Sequence, residues 1–293
     1  QSFWRWASAN LANLSVAVFE NCLTYAHSTY NTDMTINWIL ERVEESTSTN
    51  EDLMSRWRGG ALWEPIARVA AKQSAGRGRM GRSWVSHTNQ ALTFSVAYPF
   101  KKPIAELSGL SLACGLGVIK GISEGTGIAE ESLKELGLGL KWPNDIFLGE
   151  AKLGGMLIEG GQINATQPTW LVIGIGINLT TDSTIEQDIG RSMASISQIT
   201  NSSKIDADVL WLSIIKELGT ILEAFEKSSF KVFQNRWNEW DIFKNQVCQI
   251  SQQDKIFIEG IERGVDDAGY LLIETTNGVE RVISGDVSLR KYS

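Results

Sequence analysis

Segment 72–84 is neither a helix nor a strand by its residue pattern, because three glycines alternate with three arginines. Glycine lets the backbone reach positive φ and come close to a ligand. Arginine supplies a rigid set of donors that matches phosphate or carboxylate. Runs rich in Ala, Val and Phe at 66–72 and 91–98 predict strands on both sides. The segment is therefore predicted to be a loop between two sheet strands that becomes ordered on a ligand, as a lid does.

The charge around this loop favours an anionic partner. Residues 65–105 contain seven Lys or Arg and no Asp or Glu, so the rest of a chain of net charge −7 carries −14. The alternative is a solvated basic loop, or a general nucleic-acid contact of the Gly/Arg type. The acidic balance of the whole chain argues against broad contact with duplex DNA. An anionic partner is expected at one focused site.

Length and composition predict a globular chain of about two domains, since it has 293 residues of which 43% are hydrophobic. Its three cysteines lie far apart, which predicts reduced, mostly buried thiols in a cytosolic protein. With only two histidines, zinc sites and Ser-His-Asp or Cys-His catalysis are not expected. Residues 11–25 support neither a signal peptide nor a membrane span. An enzyme of this composition would act by positioning and electrostatics.

The first forty residues are predicted to form a helical lead-in. The apolar residues of this stretch fit one helix face: Leu11, Leu14, Val18, Cys22 and Tyr25. The stretch is too short, and too poor in Lys and Arg, for a winged helix-turn-helix module. We expect it to pack on the domain that follows.

A helix is predicted to begin near residue 48, where a strand end is followed by hydroxyl, amide and acidic residues. Ser48 or Thr49 would be its cap, with acids in the first turn. One interpretation is an ordinary N-cap. The other is that these exposed hydroxyls and amides bind a polar, uncharged ligand group.

Three further segments carry polar residues at strand ends. In 139–148, Pro143 predicts the end of a strand and a turn that carries Asn144 and Asp145. In 152–159, a lysine precedes two glycines at the start of a strand, a pattern that suits close approach of a phosphate. Segment 170–179 reads as a buried strand that contains Gly-x-Gly and ends near Asn178, and the absence of a helix directly after it argues against a Rossmann fingerprint.

Apolar periodicity predicts the remaining elements. Segment 107–122 is typical of a core helix, and 206–227 of a helix capped by Asp206 or Asp208. Beyond 238–245 short runs of period two follow, separated by turns such as Asn277-Gly278. They predict a small β-barrel or sandwich, and the domain boundary is placed at 238–245.

Five motifs in this order resemble the biotin protein ligase family: STSTN (46–50), GRGRMGRSW (76–84), KWPND (141–145), KLGGMLIE (152–159) and GIGIN (174–178). Each motif alone is weak, but the resemblance extends over almost the whole chain from residue 43 to 292. The short lead-in makes the chain similar to the monofunctional branch, which lacks a DNA-binding domain. One departure is Met80, where the family often has arginine, and it leaves Arg77, Arg79 and Arg82 in place.

The resemblance implies an α/β (α+β) fold. A helical lead-in at 1–40 would precede a mixed-sheet catalytic domain at 41–240 and a small C-terminal β-barrel at 241–293. It also implies a two-step reaction, in which biotin and Mg²⁺-ATP give biotinyl-5′-adenylate and pyrophosphate. The biotinyl group then passes to a lysine of the biotin carboxyl carrier domain of acetyl-CoA carboxylase. Neither DNA nor a membrane is an expected partner, the location would be cytoplasmic, and a homodimer is allowed.

The family's functional residues carry over as follows. Catalytic roles are implied for Arg77, Arg79, Asp145 and Lys152. Biotin binding is implied for Ser48, Thr49, Asn50, Gln73, Gly76, Arg77, Gly78, Arg79, Lys152 and Gly155. Binding of ATP or adenylate is implied for Arg79, Arg82, Trp84, Asn144, Lys152 and Asn178. Asp145 would bind Mg²⁺ or orient the acceptor lysine as a base.

The implied chemistry suits these residue types. A ureido ring is neutral and polar, so hydroxyls and an amide can satisfy it without burying a charge. Attack of a carboxylate on a phosphate brings two anions together, and cations offset their repulsion. The alternatives are a related lipoate ligase or octanoyl transferase, and, from another class, a nucleic-acid-binding regulator that uses the basic segment.

Overall fold

Two β sheets with helices packed on them make up the computed structural model, which describes residues 15–19, 22–26, 34–84, 90–164, 166–181, 192–252, 255–283 and 287–291. The strands of the larger sheet are β1 (Ser15–Phe19), β2 (Cys22–Ala26), β3 (Ile39–Ser46), β4 (Ile66–Gln73), β5 (Ala91–Phe100), β6 (Leu138–Lys141), β7 (Asp145–Leu148), β8 (Ala151–Gly161) and β9 (Thr169–Asn178). Their order is β1-β2-β3-β4-β5-β9-β8-β7-β6, and only β3 and β4 pair in parallel. The sheet is therefore mixed, as predicted.

Six α-helices accompany the sheets in the described part of the chain. They are α1 (Thr49–Arg58), α2 (Leu110–Thr126), α3 (Glu130–Glu135), α4 (Ile196–Thr200), α5 (Ala207–Ser228) and α6 (Gln234–Trp240). The predicted core helix and the predicted helix at 206–227 correspond to α2 and α5, and Asp206 caps α5 by accepting hydrogen bonds from the backbone N–H groups of Asp208 and Val209.

The C-terminal part is a five-stranded antiparallel sheet. Its strands are β10 (Val247–Gln252), β11 (Lys255–Val265), β12 (Leu271–Thr275), β13 (Gly278–Val282) and β14 (Val287–Lys291), in the order β13-β12-β11-β10-β14. The sheet contacts the larger domain through its 266–269 turn, where Ser108 Oγ donates to Ala268 O at 2.8 Å and Trp142 Nε1 donates to Gly269 O at 3.3 Å. The predicted α/β fold with a small C-terminal β domain is confirmed.

The predicted helical lead-in is wrong where the structure describes it. Residues 15–19 and 22–26 are strands that pair with each other, and 22–25 pair with β3. A short apolar run fits helical and extended periods equally well, and here the open edge of β3 supplies backbone partners that favour the strand. Residues 1–14, 20–21 and 27–33 of that prediction, Leu11 and Leu14 among them, lie outside the described residues.

The two faces of the larger sheet are covered differently. Helices α2 and α5 cover one face, and they approach closely at Gly121, where a Cβ would lie 2.5 Å from Ile214 Cα. Helix α1 covers part of the other face over a smaller core, formed by Leu53, Met54, Leu62, Ile66, Ala97, Trp170 and Val172. Because side chains alternate along a strand, positions 93 and 95 of β5 and 174 and 176 of β9 also face the α1 side. These four positions form the floor of the cleft described below.

A charged cluster attaches α1 to the sheet. Arg68 in β4 donates to Glu41 Oε2 at 2.7 Å and to Asp52 Oδ2 at 2.8 Å, and Ser46 Oγ donates to the same Asp52 oxygen at 2.8 Å. Burial alone would lower the pKa of Arg68, but its bonds to Glu41 and Asp52 outweigh burial and raise that pKa above its ordinary value. The cluster fixes the start of α1 over the ends of β3 and β4.

Candidate active site

The N-terminus of α1 forms the polar end of the cleft. Ser48 is the N-cap, with its Oγ accepting from the backbone N–H of Glu51 at 3.4 Å, which confirms the predicted helix start. Strands β3 and β4 are parallel, and Ser46 lies opposite Gln73. The carboxyl ends of β3 and β4 therefore lie at the same edge of the sheet, and this brings Gln73 to the start of α1.

Thr49 links the helix to two strands. Its backbone N–H donates to Gln73 Oε1 at 2.7 Å, and its Oγ1 lies 3.2 Å from the same oxygen. Thr49 Oγ1 is also 2.8 Å from Ser95 Oγ, in the middle of β5. Ser95 was not among the predicted site residues, although a serine in a mostly apolar strand is a detectable signal. Hydroxyl and amide groups without charge thus line this end of the cleft.

Asn50 is almost completely buried beside these groups, with 4% of its surface exposed. Its Nδ2 donates to Glu159 Oε2 at 2.6 Å. Its Oδ1 has no hydrogen-bond donor among the described residues. A buried acceptor without a donor costs about 1–3 kcal/mol, so this oxygen needs an explanation.

The Gly/Arg loop forms a small hairpin over the cleft. The backbone N–H of Trp84 donates to Gly76 O at 2.8 Å, and that of Gly78 donates to Arg82 O at 2.7 Å. The chain reverses at Met80, whose φ of 58° is left-handed. The structure thus shows the loop between β4 and β5, as predicted. Its ordering on a ligand remains a prediction.

Fewer positive charges of residues 65–105 are available to an anionic ligand than the composition of the segment indicates. Arg68 is bound to Glu41 and Asp52, and Lys72 pairs with Glu45 at 2.8 Å. Arg77 lies 3.0 Å from Glu51 Oε2 and also pairs with Glu159. All of these acids come from other segments of the chain. The predicted basic segment is therefore partly neutralised within the protein.

Lys152 and Asp145 form an ion pair in the cleft, with Lys152 Nζ 2.5 Å from Asp145 Oδ1. Asp145 lies opposite Gly155, and a β-bulge shifts the register so that Phe147 lies opposite Lys152. Residues 145 and 147 share one face of β7, so the bulge brings Lys152 to the face of Asp145. In a regular ladder Lys152 would point to the opposite face.

Gly155 leaves room for this pair, because a Cβ there would lie 3.0 Å from Asp145 Oδ1 and 3.1 Å from Lys152 Nζ. Asn144 lies at the adjacent turn, and its Oδ1 accepts from Arg79 Nη1 at 3.0 Å. Its Nδ2 donates to Met156 O at 2.7 Å. The loop and the KWPND turn are thus joined through one arginine.

Trp84 lies over the Gly-x-Gly segment of β9. A Cβ at Gly176 would lie 2.4 Å from the ring atom Cε2 of Trp84, and a Cβ at Gly174 would lie 2.6 Å from Asn50 Oδ1. These two glycines therefore provide space for side chains from the loop and from α1. This is a packing role, which differs from that of a glycine-rich phosphate loop.

By the role in ATP binding that the family resemblance implies for Trp84, Gly176→Ala should displace the Trp84 ring and weaken ATP binding about tenfold or more, with a smaller effect on biotin. The reason is the 2.4 Å contact that the added methyl group would make. Calorimetric titration with each ligand measures both effects. Gly161→Ala is the matched control, since a Cβ there meets Trp57 at an ordinary 3.5 Å. Unchanged ATP affinity in Gly176→Ala would contradict the implied role of Trp84 in ATP binding.

The structure brings most of the predicted site residues into one cleft. The predicted residues that line it are Ser48, Thr49, Asn50, Gln73, Arg77, Gly78, Arg79, Arg82, Trp84, Asn144, Asp145, Lys152 and Gly155. Gly76 belongs to the hairpin but is not one of the lining residues, and a Cβ there would meet Trp84 O at 2.6 Å. Asn178 is buried next to the cleft, where its Nδ2 donates to Lys152 O at 3.2 Å and to Ala194 O at 2.9 Å. In this structure Asn178 therefore positions the backbone of Lys152.

The cleft suits Mg²⁺ in one binding mode. The described part of the chain holds no group of three or more His, Cys, Asp or Glu side chains placed to bind a metal. Asp145 is the one carboxylate among the described residues that line the cleft. Mg²⁺ is commonly bound by one or two carboxylates together with substrate phosphates. The residues fit an ion that arrives with a nucleotide.

Comparison with known proteins places this architecture among the ligases. Residues 40–178 match the biotin/lipoate A/B protein ligase family, and residues 245–290 match the biotin protein ligase C-terminal domain. The bifunctional ligase/repressor BirA of Escherichia coli (strain K12) is 33% identical over 248 residues, covering 83% of this chain and 71% of that protein. The biotin--[acetyl-CoA-carboxylase] ligase of Mycobacterium tuberculosis is 26% identical, covering 85% and 88%.

A solved structure agrees with these matches. The biotin protein ligase from Aquifex aeolicus in complex with biotin and ATP superposes with a TM-score of 0.71 at 29% identity, covering 86% of this chain and 99% of that one. The fold and the cleft thus define an enzyme of the ligase class, with a mixed-sheet catalytic domain and a C-terminal β domain. The chain belongs to the biotin protein ligase family. In the described residues, no helix is both long and apolar enough to span a membrane.

Proposed function

We propose that this enzyme activates biotin with ATP to biotinyl-5′-AMP and transfers the biotinyl group to a lysine of a biotin carboxyl carrier domain. One observation carries the proposal. An uncharged polar pocket at the start of α1 opens into a cleft that also holds Lys152 and the arginines of the loop. A ligand with a neutral polar head and an anionic tail matches this arrangement.

The ligand groups are assigned to the two ends of the cleft. The ureido ring lies at Ser48, Thr49 and Gln73, where donors and acceptors are available without a buried charge. The carboxylate lies toward Lys152 and the loop. The adenine lies at Trp84, whose aromatic ring can stack on it, with Asn144 and Arg82 nearby.

In the first step the biotin carboxylate oxygen attacks the α-phosphorus of ATP. An O–P bond forms, the bond between the α-phosphorus and the bridging oxygen breaks, and pyrophosphate leaves with the electron pair. The two reacting groups are both anionic, so cations close to them lower the barrier. Lys152 meets this need directly, because its ammonium keeps two N–H donors in addition to the one that Asp145 accepts.

In the second step the amine of the acceptor lysine attacks the carbonyl carbon of biotinyl-AMP. A C–N bond forms, AMP leaves, and the amine loses a proton. Asp145 Oδ1 accepts a hydrogen bond from Lys152 Nζ. The second oxygen of Asp145 can orient the incoming amine or accept the proton that the amine loses. The alternative role for Asp145 is to bind Mg²⁺ that arrives with ATP, where the ion would offset the charge of the leaving pyrophosphate.

We expect Arg79→Gly to release biotinyl-AMP at least tenfold faster, with a smaller effect on biotin affinity. Arg79 is the loop residue that joins the hairpin to Asn144, so its loss opens the phosphate side of the cleft. Dissociation of labelled adenylate in a chase experiment measures the rate. Lys72→Ala is the control, because Lys72 pairs with Glu45 outside the cleft. Equal dissociation rates for Arg79→Gly and the parent enzyme would refute the assignment.

The function itself is tested by incubating the protein with biotin, ATP and Mg²⁺. We expect biotinyl-AMP to form, and biotin to raise the thermal unfolding midpoint. Addition of a carboxyl carrier domain should then give a biotinylated lysine. A parallel reaction with lipoate should show at most weak competition. Absence of both adenylate formation and thermal stabilisation by biotin would reject the proposal. A preference for lipoate over biotin would indicate that the enzyme is a lipoate ligase.

A further inference from the structure

We propose that Glu159 is a positioning residue for ligand recognition. It fixes the side-chain amide of Asn50 so that Oδ1 faces the cleft and accepts a hydrogen bond from an N–H group of the ligand. This inference rests on the proposed function and adds to it a specific contact for the ureido ring. Glu159 ends the KLGGMLIE motif, in which site roles were predicted for Lys152 and Gly155 but none for Glu159.

The orientation of the Asn50 amide follows from hydrogen-bond chemistry. A carboxylate only accepts hydrogen bonds, so the NH₂ group of Asn50 must face Glu159, whose Oε2 lies 2.6 Å from Nδ2. This arrangement directs Oδ1 away from Glu159. With Asn50 at 4% exposure and no donor to Oδ1 among the described residues, the oxygen is a buried acceptor without a partner.

The surroundings of Oδ1 show where it points. Gly174 on the floor of the cleft has no side chain, and a Cβ there would lie 2.6 Å from Asn50 Oδ1 and 3.5 Å from Ser95 Oγ. Asn50, Ser95 and Gly174 all line the same cleft. Oδ1 therefore lies beside the Thr49–Ser95 pair, which forms the proposed ureido end.

The chemistry of this acceptor selects a ligand class. A buried oxygen that lacks a donor favours a neutral N–H group, which a cyclic urea has. It disfavours the dithiolane ring of lipoate, which has no N–H, because the oxygen would then remain unsatisfied. Glu159 favours an N–H ligand indirectly, because it holds the Asn50 amide in this orientation. Without the Glu159 carboxylate, the Asn50 amide can turn its NH₂ group toward the cleft.

Glu159 also pairs with Arg77 of the loop, so the test must separate the two contacts. The affinity for biotin, without ATP, is measured by calorimetry for Glu159→Ala, Asn50→Ala and the double variant. We expect each single change to weaken biotin binding about tenfold, and the double variant to be no weaker than Asn50→Ala alone. Double-variant cycles report such coupling directly.

Further variants distinguish positioning from a general structural role. Glu159→Gln keeps an oxygen for Asn50 while removing the charge that holds Arg77, so biotin affinity should return to within about threefold of the parent. Gly174→Ala places a methyl group against Oδ1 from another strand, and it should weaken biotin binding while lipoate binding changes less. Glu45→Ala is the matched control, because Glu45 pairs with exposed Lys72 outside the cleft.

Additive effects of Glu159→Ala and Asn50→Ala would overturn the inference, as would unchanged biotin affinity in Gly174→Ala. If the parent enzyme binds biotin and the variants give either of these results, the inference fails but the proposed function stands. A parent enzyme that binds no biotin rejects the proposed function and this inference together.

Discussion

Replacement of Lys152 by alanine is expected to slow adenylate formation by about 10²–10³-fold, the usual loss when one electrostatic contact to a transition state is removed. In the proposed first step, Lys152 is the cation that a β-bulge places on the same face of the sheet as Asp145. Biotin binding should change less, because the ureido end of the cleft does not include Lys152. Single-turnover release of pyrophosphate measures the chemical step.

A loss of rate could also come from the carboxylate of Asp145 that Lys152→Ala leaves without its ion pair. The double variant Lys152→Ala/Asp145→Asn removes both charges and should stay slow. Recovery of the rate in the double variant would mean that the unpaired carboxylate, rather than loss of the cation, impairs the enzyme. Lys216→Ala is the matched control, since Lys216 forms a surface pair with Glu124 at 3.4 Å. Near-normal adenylate formation in Lys152→Ala would refute its role.

The second large effect concerns stability, where Glu262→Gln is expected to make the protein more stable than the parent above pH 7. Asp241, half-buried directly after α6, and Glu262, fully buried in β11, form a carboxyl pair where α6 meets the C-terminal sheet. Burial first, and then the charge of Asp241, raise the pKa of Glu262 to about 9. Burial also raises the pKa of Asp241 to about 6.

The hydrogen bonds of the pair agree with a protonated Glu262. Asp241 Oδ1 accepts from Phe243 N at 2.9 Å, and Glu262 Oε1 accepts from Gly264 N. The remaining oxygens, Asp241 Oδ2 and Glu262 Oε2, have no donor among the described residues. A proton on Glu262 lets it donate to Asp241, which satisfies both oxygens. Lys244 is the nearby positive charge, and it lowers both pKa values without cancelling the effect of burial.

The direction of the pH dependence follows from proton binding. Between the ordinary Glu value of 4.5 and the folded value of about 9, the folded protein holds a proton on Glu262 that the unfolded chain has lost. The free energy of unfolding therefore falls as pH rises through this window, by at most about 1.4 kcal/mol per pH unit. The stabilisation from this proton is complete below pH 4.5 and is lost as pH rises through about 9.

Urea unfolding at pH 5, 7 and 9 measures this dependence. Glutamine can donate to Asp241 at every pH, so Glu262→Gln should flatten the decline and differ little from the parent at pH 5. Glu274→Gln is the matched control on the neighbouring strand, where Glu274 pairs with exposed Arg263. Parallel stability curves for Glu262→Gln and the parent would contradict the shared proton.

Local signals predicted much of the fold and of the site. The hydroxyl and amide residues before an acidic turn predicted the α1 start, and Ser48 is its cap. Pro143 predicted the turn that carries Asn144, and Asn277-Gly278 predicted the β12–β13 hairpin. Each of these is a local choice of backbone geometry that one or two residues determine. Such features can be predicted from a short segment of sequence.

Contacts between distant segments could not be read from the sequence. The N-terminal stretch has an apolar spacing that suits a helix, but pairing with the β3 edge makes it two strands where the structure describes it. The basic segment has no acid within 65–105, but acids from β3, α1 and β8 pair with Arg68, Lys72 and Arg77. The Asp241–Glu262 pair joins the end of α6 to β11.

The sequence by itself determined which residue types are available and where the chain turns: the Gly/Arg loop, the helix start at Ser48 or Thr49, the KWPND turn and the lysine before two glycines. The preferences of turns and helix caps depend mainly on one or two neighbouring residues, so these features could be predicted without the rest of the chain. Only the tertiary structure decided how they meet. The register shift at β8 brings Lys152 to Asp145, and Glu159 orients Asn50 from a strand 109 positions away. The β-bulge and the orientation of the Asn50 amide depend on partners across the sheet, and these partners could not be identified from one segment of the sequence.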